Sequence, residues 1–311
     1  MGKKVLVFGA TGEIGGRIAR LAVDAGHEVT GVTRGSNSRA TVNLDGVKML
    51  HGDKGDEAFI RDVIAKLPID IVIDSVPKID NIPLYHKYLK RAENVFFCGS
   101  TGTFVPLQYL PADEKHPWRE ETGVNFFGQC RRDALALDLW ESEQFPVSIF
   151  RPTCIIGEHR VPLELWGARD ISFYRKLKAG EPVTIAPCEE ILIQAGYNWD
   201  LAGAFVKAID CQDKVRGEIF IISCKRAITL GKYLQTAMDF LNSKSEISHV
   251  PAEKLQEIYP EVTMKNRMDF LLEHMCLDIS KAEKTFGYSP TLSSEQGLVK
   301  ALEWCICSGL L

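Results

Sequence analysis

A chain of 311 residues, 45% hydrophobic and 25% charged, has ordinary globular composition and room for one large domain or a main domain carrying a smaller one. A net charge of −4 and a pI near 6.0, with no lysine- or arginine-rich block, exclude nucleic acid as the default partner. No apolar run has the length of a membrane span, and Met-Gly-Lys-Lys leads into a strand rather than a signal peptide, so no membrane association is expected. The nine cysteines are an odd number without a C-x-x-C pair, and the seven histidines are scattered; reduced thiols, a cytoplasmic protein and no metal site are expected.

Residues 5–8, Val-Leu-Val-Phe, form the short apolar run of a buried parallel strand. Gly9, Gly12 and Gly15 follow at G-x-x-G-x-x-G spacing, and an amphipathic helix containing Ile14, Ile18, Ala19, Leu21 and Ala22 begins at once. Glycine removes the Cβ where backbone must approach a pyrophosphate, and the helix N-terminus turns N–H groups and a positive dipole end toward it. The segment Gly9, Thr11, Gly12, Glu13, Ile14 and Gly15 therefore reads as a dinucleotide turn.

The second strand is 28–33. An acid at its end would hold the adenosine ribose, yet Thr33 and Arg34 stand there. Arg34, Ser36, Ser38 and Arg39 can instead cradle a 2′-phosphate, which favours NADP, with NAD as the alternative. A third strand, 47–50, leads to Asp53, either an adenine contact or a plain turn aspartate. A helix at 57–66 and a fourth strand at 71–73 lead to Ser75 and Val76, which join the cofactor set. A helix at 84–92 and a fifth strand at 95–98 follow. The alternation predicts a doubly wound parallel α/β sheet with right-handed crossovers.

From Gly99 to about Val124 runs a proline-punctuated loop whose length suggests function. Then come a helix at 127–143 and a sixth strand at 147–150 closing with Arg151, Pro152 and Gly157. Arg151-Pro152 ends at the carboxyl edge of the sheet, where ligands bind, so Glu158, His159 and Arg160 are expected to face a substrate cleft, with a solvated charged turn as the alternative. Beyond, the pattern loosens: a helical piece at 173–178, an extended one at 182–185, a helix at 199–209 and a seventh strand at 219–222. Helices from Leu230, Ala252 and Lys265, and one at 294–305, complete the chain. The expected division is 1–157 plus 194–224 for the dinucleotide domain, and 158–193 plus 225–311 for a smaller α+β region covering the substrate.

Five places carry a family resemblance: the glycine turn, Gly52-Asp53, Gly99-Ser100, Arg151-Pro152 with Gly157, and 277–283 followed by Phe286-Gly-Tyr-Ser-Pro290. Together they resemble the extended short-chain dehydrogenase/reductase family, also called the NAD-dependent epimerase/dehydratase family. The resemblance implies a Rossmann sheet, Ser100 at the substrate hydroxyl, Pro152 beside the cofactor, and a sugar, sugar nucleotide or similar polyol as substrate. It also implies a homodimer paired through the helices 84–92 and 127–143. The family's Tyr-x-x-x-Lys pair aligns with Phe127 and Arg131. Phenylalanine has no proton to exchange, although Arg131 can still donate to ribose hydroxyls.

Two readings follow. Another group replaces the phenol, with Tyr109, Glu120, Glu121, Lys78 and Cys130 as candidates, or the cofactor is bound by a sensor that does not turn it over. An RNA-associated member of the fold ranks last, on net charge.

Overall fold

The computed structural model of the chain describes residues 2–35, 40–260 and 268–311. The first six strands are β1 (Lys4–Phe8), β2 (Glu28–Thr33), β3 (Lys48–His51), β4 (Ile71–Asp74), β5 (Asn94–Cys98) and β6 (Val147–Pro152). Short strands β7 (Cys154–Ile156), β8 (Val183–Ile185), β9 (Leu192–Ile193) and β10 (Ala195–Tyr197) precede β11 (Ile219–Ile222). Strands β12 (Ile228–Thr229) and β13 (Ile247–His249) come last. The helices of the sheet layers are α1 (Glu13–Asp24), α2 (Glu57–Asp62), α3 (Ile82–Tyr88) and α4 (Phe127–Glu143). They are followed by α5 (Ile171–Ala179), α6 (Asn198–Ala208), α7 (Gln212–Val215), α8 (Leu230–Leu241) and α9 (Ala252–Ile258). The last three are α10 (Met268–Leu271), α11 (Ser280–Phe286) and α12 (Ser294–Cys307).

Seven strands form the central sheet in the order β11-β6-β5-β4-β1-β2-β3, every neighbouring pair parallel. The central strands β1, β4, β5, β6 and β11 are almost wholly buried, as both faces of a parallel sheet require, while β2 and β3 at the edge are partly exposed. From β1 the chain winds outward to β3, then returns to the other side of β1 with β4. The order reverses there, and the carboxyl ends of β1 and β4 diverge into a crevice.

The doubly wound sheet agrees with the sequence reading, and several boundaries move. The helix expected at 57–66 is α2 followed by a 3₁₀ turn, Ile64–Lys66. The helix expected at 84–92 begins earlier, with Pro83 in its first turn, and ends at Tyr88. Strands β7, β9, β10, β12 and β13 are absent from the sequence reading, because two or three residues are too few for a period to show. The helix expected from Lys265 begins outside the described residues, of which 268–271 are helical.

One face of the sheet packs against α1, α6 and α11, the other against α2, α3 and α4. Phe150 of β6 is fully buried, its ring 5.1 Å from Phe96, 4.5 Å from Phe205 and 5.7 Å from Phe220. A separate core gathers Trp166, Phe173, Tyr174, Tyr233, Leu298 and Leu302 from the later chain, joined by Ile156 and Ala195. None of the nine cysteines forms a disulfide, and no helix among the described residues is long and apolar enough to cross a membrane.

Phe150→Ala removes the ring at the centre of the aromatic cluster and leaves a cavity that β6 and β11 cannot close. It should destabilise the fold by about 3–5 kcal/mol, read as a lowered urea midpoint at unchanged slope. A loss below about 1 kcal/mol would mean that the cluster collapses around the gap.

Candidate functional site

The glycine turn is built to bring backbone close to a ligand. Gly9 sits at φ +79°, where a Cβ would meet the Ser75 hydroxyl oxygen at 2.4 Å. A Cβ on Gly15 would meet the Gly9 carbonyl oxygen at 2.2 Å. Gly12 is the N-cap of α1 and brings no side chain to its first N–H groups, leaving them for an anion. Ser75 donates to the Phe8 carbonyl at 2.9 Å, so it props the turn from below. Ile14 is buried in the core instead of facing the groove.

A groove of about 280 Å³ runs along this turn, lined by Gly9, Thr11, Gly12, Arg34, Asp53 and Val76, all from the expected cofactor set. Arg34 is exposed at the end of β2. Asp53 Oδ1 also accepts from Gly55 N at 2.8 Å, so this aspartate shapes its own turn. Arg39, Ser36 and Ser38 lie outside the described residues. The residues present fit a dinucleotide: a Cβ-free approach, an uncapped helix start and a cation where a ribose-binding acid would stand.

The groove also holds Lys54, Lys78 and Asn81, of which sequence reasoning weighed only Lys78, and for another task. Lys54 Nζ donates to both oxygens of Asp74, at 2.6 and 2.7 Å, and to the Val76 carbonyl at 2.6 Å. Asp74 is fully buried and also accepts from Tyr85 Oη at 2.9 Å. Burial pulls the Lys54 ammonium below its ordinary pKa, while Asp74 opposes that shift. This pair ties the ends of β3 and β4 together; no spacing pattern announces it.

Glu13 stands in the first turn of α1, and its Oε2 pairs with Arg160 Nη1 at 2.5 Å. Arg17, fully buried, donates to the carbonyls of Glu13 at 2.7 Å and Glu158 at 3.0 Å. Arg160 thus joins the dinucleotide turn to a second cavity that it also lines. His159 does not follow it: at φ +68° its exposed ring lies 5.5 Å from Trp304, outside the cavity lining. Desolvation, with the Arg17 charge nearby, lowers the His159 pKa.

The second cavity, about 280 Å³, opens beyond Ser100 at the carboxyl edge of β5 and is lined chiefly by apolar side chains. Ser100 Oγ accepts from Gly102 N at 3.1 Å. Arg169 and Glu273 line it too, and neither drew notice in the sequence, since single charges in an unpatterned region carry no spacing signal. Arg169 is aimed by the Val161 and Ile155 carbonyls, each 2.9 Å from a guanidinium nitrogen.

The expected replacements for the phenol are elsewhere. Tyr109 is exposed and donates to Asp113 at 2.7 Å. Glu120 and Glu121 are exposed, and neither lines either cavity. Cys130 is buried, donating to the Thr103 carbonyl at 3.7 Å, and burial pushes its thiol up to about 11. Lys78 lies in the groove along the glycine turn.

The long loop has structural work instead. Glu114 accepts from Ile221 N on the edge strand β11, and Ala112 pairs with Leu277. Phe127 is half-buried at the start of α4 and Arg131 is exposed one turn later; the cavity wall is Phe126. Pro152 is buried, and its carbonyl accepts from Thr101 at 3.3 Å.

Beneath these residues lies a buried charge cluster. Arg151 Nε and Nη2 reach Asp133 Oδ2 at 3.2 and 3.0 Å, while Arg132 Nε and Nη2 reach Oδ1 at 2.9 and 2.5 Å. The Arg151 guanidinium also lies 4.1 Å from the centre of the Trp118 ring, which holds the long loop down.

The sheet order, the glycine turn and the crevice between β1 and β4 define a Rossmann-like α/β fold, the fold seen in solved epimerase and dehydratase structures. Residues 1–102 match the model of the NmrA-like family. The Arabidopsis thaliana protein named chloroplast stem-loop binding protein of 41 kDa b is 27% identical over 313 residues, covering 95% of this chain and 77% of that protein. Among solved structures, UDP-glucose 4-epimerase from Thermotoga maritima with UDP-glucose superposes at TM-score 0.76 and 16% identity, over 99% of this chain and all of that one. A dTDP-glucose 4,6-dehydratase from Bacillus anthracis in complex with NAD gives 0.75 and 13%, over 99% and 98% of the two chains.

The turn that carries Arg169 is organised by Glu164, a fully buried carboxylate accepting from Trp166 N at 2.5 Å and Ala168 N at 2.9 Å. Burial raises its pKa from 4.5 to about 7. Between those values the unfolded chain has released this proton and the folded chain has kept it, so rising pH favours unfolding. One such proton contributes a slope of up to about 1.4 kcal/mol per pH unit. Urea titrations at pH 5, 6 and 7 should show this loss of stability in the unmodified chain relative to Glu164→Gln. Parallel slopes for the two proteins would reject the assignment.

Proposed function

We propose that this chain binds NADP along the groove and holds a small molecule in the adjoining cavity, as a nicotinamide-dependent cytosolic protein of the epimerase, dehydratase or reductase kind. The observation that carries the reading is Arg34, set in the lining of a glycine-turn groove where a ribose-binding acid would repel a 2′-phosphate. In this reading the Gly9–Gly15 turn holds the pyrophosphate, Arg34 the 2′-phosphate, Asp53 the adenine edge, and Arg131 the ribose hydroxyls nearest the nicotinamide. The bound cofactor supplies hydride transfer at its nicotinamide. Ser100 hydrogen-bonds the hydroxyl or carbonyl oxygen of the small molecule, and the apolar cavity wall excludes water around it. A carbohydrate derivative is what the family resemblance implies for that molecule.

Proton transfer is the weak link. Phe127 has no labile proton, and none of Tyr109, Glu120, Glu121 and Cys130 lines the cavity. That observation favours a second reading, a protein of the same fold that binds NADP without turning it over. Association with structured RNA, suggested by the name of the Arabidopsis relative, is set against the net charge of −4. A mobility shift with a stem-loop RNA at low and physiological salt tests it.

Calorimetry should give tighter binding of NADP than of NAD. Arg34→Ala should weaken NADP about ten- to a hundredfold, the range for one charge-assisted hydrogen bond, with NAD almost unaffected. Equal affinity for both cofactors in the unmodified chain would reject the preference.

Restoring the pair with Phe127→Tyr and Arg131→Lys tests turnover. Where the cleft is otherwise complete, NADPH oxidation over a panel of ketones and keto-sugars should rise by roughly 10²–10⁴. An unmodified chain already as fast as the double variant would mean that another group moves the proton.

A further inference from the structure

We propose that the cavity beyond Ser100 takes an aromatic organic anion, a carboxylate or phosphate monoester held by Arg169, in preference to a sugar or sugar nucleotide. This deepens the function proposed above and rests on it, since it names the class of small molecule in the same cavity.

The wall is the first argument. Phe126 and Phe270 are stacked with centroids 4.9 Å apart and planes 14° from parallel, and both line the cavity with Leu163, Leu192, Leu230 and Met275. Such a surface suits a flat ring. Of the three hydroxyls in the lining, Ser100 keeps its O–H for a ligand, and the two threonines are engaged. Thr101 Oγ1 donates to the Pro152 carbonyl at 3.3 Å, and Thr153 Oγ1 shares a 2.5 Å hydrogen bond with Ser223 Oγ. A polyol would lose water from several hydroxyls here and find Ser100, Arg169 and Glu273 as partners against an otherwise mainly apolar wall, which is costly for each group left unmatched. At about 280 Å³ the cavity lies near the lower end of the range for small-molecule sites, roughly 300–1,000 Å³. One ring with a short chain fits that space.

The charges are the second argument. Two guanidinium groups line the cavity. Arg160 is neutralised by Glu13. Arg169 has no ion-pair partner among the described residues; its Nη1 donates to the Val161 carbonyl, and its Nη2 to the Ile155 carbonyl and, at 3.5 Å, to Cys154 Sγ. Its Nε–H and the second Nη1–H have no protein acceptor among the described residues. A half-buried guanidinium fixed by neutral acceptors in an apolar chamber attracts an anion strongly, because little water competes. Glu273 lines the same cavity without an ion pair to either arginine, so it can accept from a phenolic or alcoholic hydroxyl on the same molecule. The occupant therefore presents its anion to Arg169, its ring to Phe126 and Phe270, and a hydroxyl donor to Glu273.

The test is calorimetry on the full chain, with and without saturating NADP. The probes are 4-hydroxycinnamate, phenyl phosphate, the neutral amide of 4-hydroxycinnamate, galactose and UDP-glucose. One of the two aryl anions should bind at least tenfold more tightly than the amide, galactose and UDP-glucose; which of the two leads tells carboxylate from phosphate. Arg169→Met should abolish the advantage of the anion over the amide and leave NADP affinity unchanged, with Arg169→Lys intermediate. The acid-against-amide comparison needs only the unmodified chain, so misfolding of a variant does not spare the inference. Equal binding of acid and amide, preference for galactose or UDP-glucose, an unaltered Arg169→Met, or no binding by either aryl anion overturns it. Aryl-anion binding without NADP binding would sink the cofactor assignment and leave this site standing.

Discussion

The carboxyl edge of the sheet depends on one buried carboxylate held between two guanidinium groups. Asp133, on α4, is fully buried and reaches Arg151 at the end of β6 and Arg132 beside it, while Arg132 also donates to the Pro77 carbonyl after β4 at 3.3 Å. Three elements that share no sequence neighbourhood are thereby fixed around the place where Ser100 and Phe126 meet. A buried ion pair contributes little net stability beside a packed apolar substitute, yet removal of one partner leaves an uncompensated charge and costs about 3–5 kcal/mol. Such a cluster enforces geometry more than it adds stability. Arg151, fully buried with Nη1 left without a partner, carries that demand into the faces of Phe104 and Trp118.

This constraint also explains the behaviour of the loop between β5 and α4. Its length and polar side chains read as catalytic in the sequence, but Trp118 is held against Arg151, Glu114 satisfies the exposed edge of β11, and Tyr109 is turned out to Asp113. An edge strand with unpaired N–H groups needs cover, and this loop supplies it. Of the acids in this loop, Glu114 serves the sheet, while the Tyr109 phenol is spent on Asp113 at the surface.

Much of the fold was legible because period and order are local. The apolar runs at β1, β4, β6 and β11, the glycine turn and the strand–helix alternation need no knowledge of what touches what. The groove was legible for the same reason: Gly9, Thr11, Gly12, Arg34 and Asp53 sit at fixed places after their strands. Lys54, Arg169, Glu273 and the Asp133 cluster were not, because their meaning comes from partners far away in sequence. His159 shows the converse failure, since nearness to Arg160 in sequence put it in the cleft while a left-handed backbone turned it toward Trp304.

The pairing of Glu13 with Arg160 would couple the two ligands of the function proposed above through one shared ion pair. Glu13 occupies the first turn of the helix that would meet a pyrophosphate, a position where an unmatched carboxylate repels the incoming charge; Arg160 cancels that charge from the side of the other cavity. Any anion that draws Arg160 toward itself bares Glu13 to the dinucleotide. Any dinucleotide that draws it the other way lowers the positive potential felt by the anion. Linkage requires the two penalties to be equal in free energy. With both ligands of the proposed function bound, order of addition would then be immaterial, and the bridge would act as a reciprocal brake of one on the other.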